Sequence, residues 1–396
     1  MNLSDRNQLM GFSPIRKFNK YASAAEKAGK KIYHLNIGQP DIKTPSSYFD
    51  AIKSFNQEVL AYASSEGNPD LREAISNYFK RVDVDFTPDD ILITNGGSEA
   101  LMLLFLALLN DGDEVIMAEP YYTNYLTFIQ AAGGSIRPIT TTAEDGYHYA
   151  DRDKIEACIT DKTKVIALVS PGNPTGSVLT KDEIKMICDI AVEHDLIIMA
   201  DEVYREFVYD GKEMTSFGQV KEAANNVVVI DSVSKRFSAC GARIGCICTK
   251  NAELMSGLMK FAQGRLCCPT IDQVGSTALY NLDPSYFGPI KAEYDHRRNV
   301  AYEELQKIDG IVCAKPSGAF YISCKLPVDN AEDLLMFLLT EWDDNGETVM
   351  FAPEEGFYVT PGLGKSECRL AYVLCEDDLR KGIQLLNKGI QAYMNK

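Results

Sequence analysis

Between about residue 70 and residue 250 the chain alternates short apolar runs with longer stretches of helical periodicity. The runs are Ile91–Thr94, Val115–Ala118, Val165–Val169, Leu196–Ala200, Val227–Ile230 and Ile244–Cys248. A run with few polar positions suits a strand buried on both faces, the kind found in parallel sheets covered by helices. Ala100–Leu109 and Lys181–His194 carry the helical pattern between such runs. The alternation predicts an α/β fold, with a mostly parallel central sheet flanked by helices. Beyond residue 285 the pattern changes. Ala319–Cys324 and Cys368–Val373 read as strands, and Ala331–Glu341 and Glu376–Met394 as helices. These predict a smaller α+β domain of residues 286–396, joined by residues 1–45, beside a large domain of residues 46–285. The Pro- and Gly-containing stretch Asp283–Gly288 marks the seam. No tandem repeat or low-complexity segment interrupts the plan.

At 396 residues the chain is long enough for one large core and a smaller one. Its 56 acidic and 40 basic residues give a formal net charge of −16, which argues against nucleic acid or an anionic membrane as the main partner. No run of about 18 apolar residues offers a membrane span. The opening Met1-Asn-Leu-Ser-Asp-Arg lacks an apolar signal core, so a cytoplasmic protein is expected. The 11 cysteines form no ligand-like cluster. Cys246 and Cys248 alternate along one strand, and Cys267 and Cys268 are adjacent, so reduced core residues are expected rather than disulfides or a metal site.

The strand Val227–Ile230 leads into Ser232-Val-Ser-Lys235, and Gly241-Ala-Arg-Ile-Gly245 follows. A lysine after a buried strand, among small polar residues, is set apart from the usual solvated lysine. Withdrawn from water, its amine becomes a usable nucleophile toward a carbonyl. Asn95-Gly-Gly-Ser-Glu99 joins a strand to an apolar helix. Its glycines allow close backbone approach, Ser98 is placed to cap the helix, and the first-turn N–H groups attract an anion. A tight turn without a ligand explains that segment equally well. It also nearly spells a hydrolase nucleophile elbow, with Ala100 in place of the last glycine. None of the four histidines, His34, His148, His194 and His296, stands in a loop that suits the base such an enzyme needs.

Other strand ends carry matching chemistry. Leu196–Ala200 ends in Asp201-Glu-Val-Tyr204, and a carboxylate there is costly unless paired. Val165–Val169 ends in Ser170-Pro-Gly-Asn-Pro-Thr-Gly176, where Pro174 restricts the backbone of Asn173. Val115–Ala118 ends in Glu119-Pro-Tyr-Tyr122, an aromatic able to lie on a planar ring. Singly, each reads as a solvated terminus, a good turn or packing. Together they describe a ligand with a phosphate, a cationic ring nitrogen, a phenolic oxygen and an aldehyde. Pyridoxal 5'-phosphate has all four.

With these motifs the chain resembles the fold-type I pyridoxal phosphate-dependent aminotransferases of class I/II, of aspartate aminotransferase type. The likeness runs from Asn36-Ile-Gly-Gln-Pro-Asp41 to the Arg369 region. It implies that Lys235 condenses with the cofactor aldehyde and then moves protons as general base and acid. It assigns Asp201 to the ring nitrogen, Asn173 and Tyr204 to the ring oxygen, and Tyr122 to the ring face. Gly97, Ser98, Ser232, Ser234 and Arg243 match phosphate contacts, and Tyr62 matches a tyrosine that reaches the neighbouring subunit's phosphate. A homodimer with shared active sites is implied. Arg369 matches the arginine that holds the substrate α-carboxylate through two parallel hydrogen bonds. Gly38 matches a backbone position near the substrate, and Gln39 stands where many relatives have Glu.

Amino acid and 2-oxo acid are the implied substrates, most closely aspartate with 2-oxoglutarate in a ping-pong cycle. That choice requires a second cation for the distal carboxylate. The lysine that one subgroup places at the position of Ser98 is absent, which leaves Arg265, near a position that acts across the dimer in another subgroup, and Arg16. A C–S (β) lyase on the same fold, or an aminotransferase of alanine or aromatic specificity, is the alternative, because local motifs do not separate these reactions. A regulator's sensor domain would normally bring a DNA-binding unit, and only 35 residues precede Asn36. The Ser-x-x-Lys of penicillin-binding enzymes would need Ser-Asp-Asn and Lys-Thr-Gly, which the chain lacks.

Overall fold

A computed structural model describes residues 2–396. Its centre is a seven-stranded sheet. From one edge the order is Ile91–Thr94, Gly245–Thr249, Val227–Ser232, Ile197–Asp201, Thr163–Val169, Glu114–Glu119 and Ser135–Thr140. Gly245–Thr249 runs antiparallel to both neighbours, and every other pairing is parallel. The apolar runs fold this way because both sheet faces are covered. Val227 and Val229 enter one core while Val228 and Ile230 enter the other. That period of two sends each valine or isoleucine out of water, at about 1.5–3 kcal/mol apiece.

All six predicted strands of this sheet are present, within two residues at each end. The seventh, Ser135–Thr140, was missed. It lies at an edge, its two buried residues, Ile136 and Ile139, are three positions apart rather than two, and Pro138 sits inside it, which an edge strand tolerates. Helix Lys181–Glu193 begins at a reciprocal cap, in which Thr180 Oγ1 accepts from Glu183 N and Glu183 Oε2 accepts from Thr180 N.

One sequence expectation needs correction. Ser98 does not cap its helix, which starts two residues earlier and spans Gly96–Leu108. Asn95 holds the cap position, and the carboxylate of Glu99 folds back to accept from the Asn95 N–H at 2.7 Å. Ser98 therefore lies in the first helical turn, facing the sheet's carboxyl end.

The C-terminal part forms a four-stranded antiparallel sheet in the order Ala352–Pro353, Glu367–Ala371, Tyr321–Lys325, Val312–Cys313. Lys31–His34 pairs in parallel with Glu347–Met350 and ties the N-terminal segment to this part. A third core joins residues from Phe18–Leu35 with residues 290–390, and Val203–Tyr209 reaches into it from the central sheet. The cysteines are free, and Cys246 and Cys248 lie side by side on one face, 3.6 Å apart. No helix among the described residues is long and apolar enough to cross a membrane.

Candidate active site

The parallel strands deliver their carboxyl ends to one side, where loops turn back over the sheet, the usual ligand position in an open α/β sheet. A cleft of about 300 Å³ opens there, between the central sheet and the C-terminal part. Gly38, Gly97, Ser98, Tyr122, Asn173, Asp201, Tyr204, Ser232, Ser234, Lys235, Arg243 and Arg369 all line it, although more than 330 positions separate the first from the last. Tyr62 and Arg265 do not line it. Tyr62 is 82% exposed. Arg265 turns toward Glu99, 3.4 Å away, and donates to the Ile93 carbonyl at 3.0 Å.

Lys235 sits on the short helix Val233–Arg236, which follows the buried strand directly. Ser232 caps it by accepting from Ser234 N at 3.1 Å. The next residue, Arg236, is buried at 1% exposure, forms an ion pair with the equally buried Asp231, and lies 4.6 Å from the Tyr78 ring centre. That pair clamps the helix from behind, because a buried guanidinium has no alternative partner to move to. Lys235 faces the other way, and its amine donates to the Gly38 carbonyl at 2.9 Å.

Asp201 closes the cleft floor. Its Oδ2 accepts from the Tyr125 hydroxyl at 2.7 Å and its Oδ1 from Val203 N at 3.2 Å. Burial pushes its carboxyl up to about 6, with the two hydrogen bonds pulling the other way. A carboxylate in that position is best satisfied by a cation. Tyr204 and Tyr321 meet hydroxyl to hydroxyl at 3.0 Å, and burial raises the Tyr204 phenol well above its ordinary range. Tyr122 accepts from Asn124 at 2.8 Å, and burial raises its phenol too.

Arg369 comes from the middle of the small sheet and is 3% exposed. Its Nη1 donates to Asn173 Oδ1 at 3.0 Å and its Nη2 to the Asn36 carbonyl at 2.7 Å. Its Nε and the side-chain oxygen of Asn36 have no partner. The guanidinium lies over the Tyr321 ring at 4.6 Å. A buried, flat, partly unsatisfied cation has the chemistry to receive a carboxylate.

The phosphate end fits as well. Gly96 adopts φ +76°, and a Cβ there would lie 2.4 Å from Arg243 Nη2. Two hydroxyls, Ser232 and Ser234, stand 2.8 Å apart beside the first turn of helix Gly96–Leu108. Paired hydroxyls, a guanidinium and free helix N–H groups make an anion cradle. With Asp201 on the floor and the Lys235 amine between, the donor set suits pyridoxal phosphate from end to end.

Sequence reasoning missed Tyr125, Asn36 and Tyr321. Tyr125 and Tyr321 look like core aromatics in a helix and a strand, and only the fold turns their hydroxyls to Asp201 and Tyr204. Asn36 stands in a motif whose sequence assigns it no part, and only the fold brings its carbonyl to Arg369. Cys240 also lines the cleft, and its thiol donates to the Ser234 carbonyl at 3.1 Å.

The chain resembles known proteins over nearly its whole length. Residues 30–381 match the family described as aminotransferase class I and II. The aspartate aminotransferase of Bacillus subtilis is 30% identical over 99% of this chain and 100% of its own. Among solved structures, an alanine aminotransferase from Pyrococcus furiosus superposes with a TM-score of 0.90 at 31% identity, covering 99% of this chain and 100% of that one. The Thermus thermophilus aspartate aminotransferase with maleate gives 0.87 at 29% identity, covering 98% and 100%.

Proposed function

We propose a substrate pair and a set of residue roles for this chain, which belongs to the class I and II aminotransferases and is a pyridoxal phosphate-dependent transaminase. The pair is aspartate with 2-oxoglutarate, converted in a ping-pong cycle. Bound pyridoxal phosphate supplies the electron sink and the carrier that holds the amino group between half-reactions. Gly97, Ser98, Ser232, Ser234 and Arg243 hold its phosphate, Asn173 and Tyr204 its phenolic oxygen, and Tyr122 its ring face.

Asp201 presents an anion to the ring nitrogen, and Tyr125 fixes that carboxylate in place. Arg369 and Asn173 take the substrate α-carboxylate, which orients the Cα hydrogen toward Lys235. The Lys235 amine removes the proton at the donor Cα and returns it during turnover, acting as base and then acid. The aromatic wall of Tyr122, Tyr204 and Tyr321 keeps bulk water from the reacting carbon. Residues 46–285 act in this reading as the cofactor domain, and residues 1–45 with 286–396 as the domain that brings Arg369.

The carrying observation is the meeting of Lys235, Asp201, Asn173 and Arg369 in one cleft, with Arg369 already joined to Asn173 at 3.0 Å. The Thermus relative's dicarboxylate complex supports a dicarboxylic donor. A panel of amino acid donors with 2-oxoglutarate as acceptor tests it, and aspartate should be the fastest. Faster turnover of alanine or aromatic donors would remove the aspartate reading, and pyruvate release from cysteine-like substrates without an acceptor would favour the lyase.

A further inference from the structure

Four cations line the cleft: Lys235, Arg243, Arg369 and Arg16. Three are engaged. Lys235 donates to Gly38, Arg243 to the Cys240 carbonyl beside the phosphate cradle, and Arg369 to Asn173 and Asn36. Arg16 is exposed, and its guanidinium meets no protein carboxylate among the described residues.

Its position is built. Arg16 N donates to the Ser13 carbonyl at 3.1 Å, and Asn19 N donates to the Arg16 carbonyl at 3.0 Å, so the segment turns tightly around this residue. On one side Ile15 packs on Phe357 and Tyr358. On the other, Lys17 pairs with Glu332 and Phe18 is buried at 4% exposure in the C-terminal core. Pro14 fits against Gly356 so closely that a Cβ at Gly356 would lie 2.4 Å from it. These anchors hold residues 13–18 across the cleft mouth, where Ser13, Ile15 and Arg16 line it, and of the segment's two cations Arg16 lines the cleft while Lys17 pairs with Glu332. Phe357 also lies under Arg369, 5.3 Å from the guanidinium, so one support carries both arginines. Arg265, meanwhile, is committed to Glu99 and Ile93 outside the cleft of its own protomer.

We propose that Arg16 binds the distal carboxylate of dicarboxylic substrates, so that the N-terminal segment of the same chain sets specificity. The proposal rests on the aspartate reading and names the residue that carries it. Arg369 takes one carboxylate, and Arg16 takes the other through its planar fork of donors.

The test titrates the cofactor-loaded protein with succinate and with propionate and follows the cofactor's absorbance. Wild type should bind the dicarboxylate at least about tenfold tighter, the value of one charge-assisted contact. Arg16→Ala should erase that preference and leave propionate binding unchanged, Arg16→Lys should keep part of it, and Arg265→Ala should keep all of it. An Arg16→Ala protein with the full preference overturns the inference and leaves the aspartate reading standing. Loss in Arg265→Ala instead of Arg16→Ala does the same. A wild type without the preference overturns both.

Discussion

Replacing Asp201 with asparagine changes charge at a point the fold keeps away from water. In the folded protein its carboxyl titrates near 6, against an ordinary 3.8. The folded state therefore holds a proton that the unfolded chain has already lost, and stability falls as pH rises from about 4 through 6. Two pKa units amount to on the order of 3 kcal/mol. Cofactor-free Asp201→Asn should escape that loss. Its melting temperature relative to wild type should rise across this window and level off above about pH 7. A pH-independent difference would show that Asp201 is not held as described. With cofactor bound the sign reverses. The variant lacks the anion opposite the ring nitrogen and should transaminate about a hundredfold slower or worse, while Arg369 still binds substrate carboxylate.

Elements were legible where burial writes itself into composition. Ile91–Thr94 and Val227–Ser232 read as strands because both faces are covered. Direction is not written there, so nothing in Gly245–Thr249 announces that it runs against its neighbours. Ser135–Thr140 holds two isoleucines three positions apart and a proline, and Lys31–His34 has only two apolar residues between polar ends, so neither rises above loop. The lysine, the aspartate and both phosphate segments were visible because each breaks an apolar run with chemistry the run does not need. Tyr125 and Tyr321 were not, because an aromatic inside an element looks the same whether or not its hydroxyl reaches a ligand.

Elements also suggest the partner. Val59, Leu60 and Tyr62 of one loop are 71%, 60% and 82% exposed. Met102 and Leu106 of helix Gly96–Leu108, and Phe261 of helix Ala252–Arg265, add exposed apolar surface. An apolar surface of this kind is expected to be covered, and a second copy of the chain is the proposed cover. Light scattering should give about twice 43.9 kDa. Val59→Asp with Leu60→Asp should halve that mass and weaken cofactor binding, the outcome expected of the proposed role of Tyr62 at the neighbouring subunit's phosphate. A wild-type monomer that retains cofactor would refute the shared site.

At the scale of the whole molecule, the cleft exists because two cores face one another. The central sheet supplies Asp201, Asn173 and the Lys235 helix, and the C-terminal sheet supplies Arg369 and Tyr321. Contacts across the seam fix their distance. Tyr147 donates to Glu367 at 3.3 Å, and Glu119, fully buried, accepts from Val359 N at 3.0 Å and Thr360 N at 3.2 Å. A net charge of −16 surrounds a cleft that holds four cations, so the protein's anionic ligands are drawn to that one place. In the proposed mechanism this cleft joins its cofactor to Lys235. Borohydride reduction of the cofactor-loaded protein, followed by peptide mapping, measures that directly. One pyridoxyl-labelled peptide containing Lys235 is predicted, with no label in Lys235→Ala; a label on another lysine, or trapping that persists in Lys235→Ala, would contradict it.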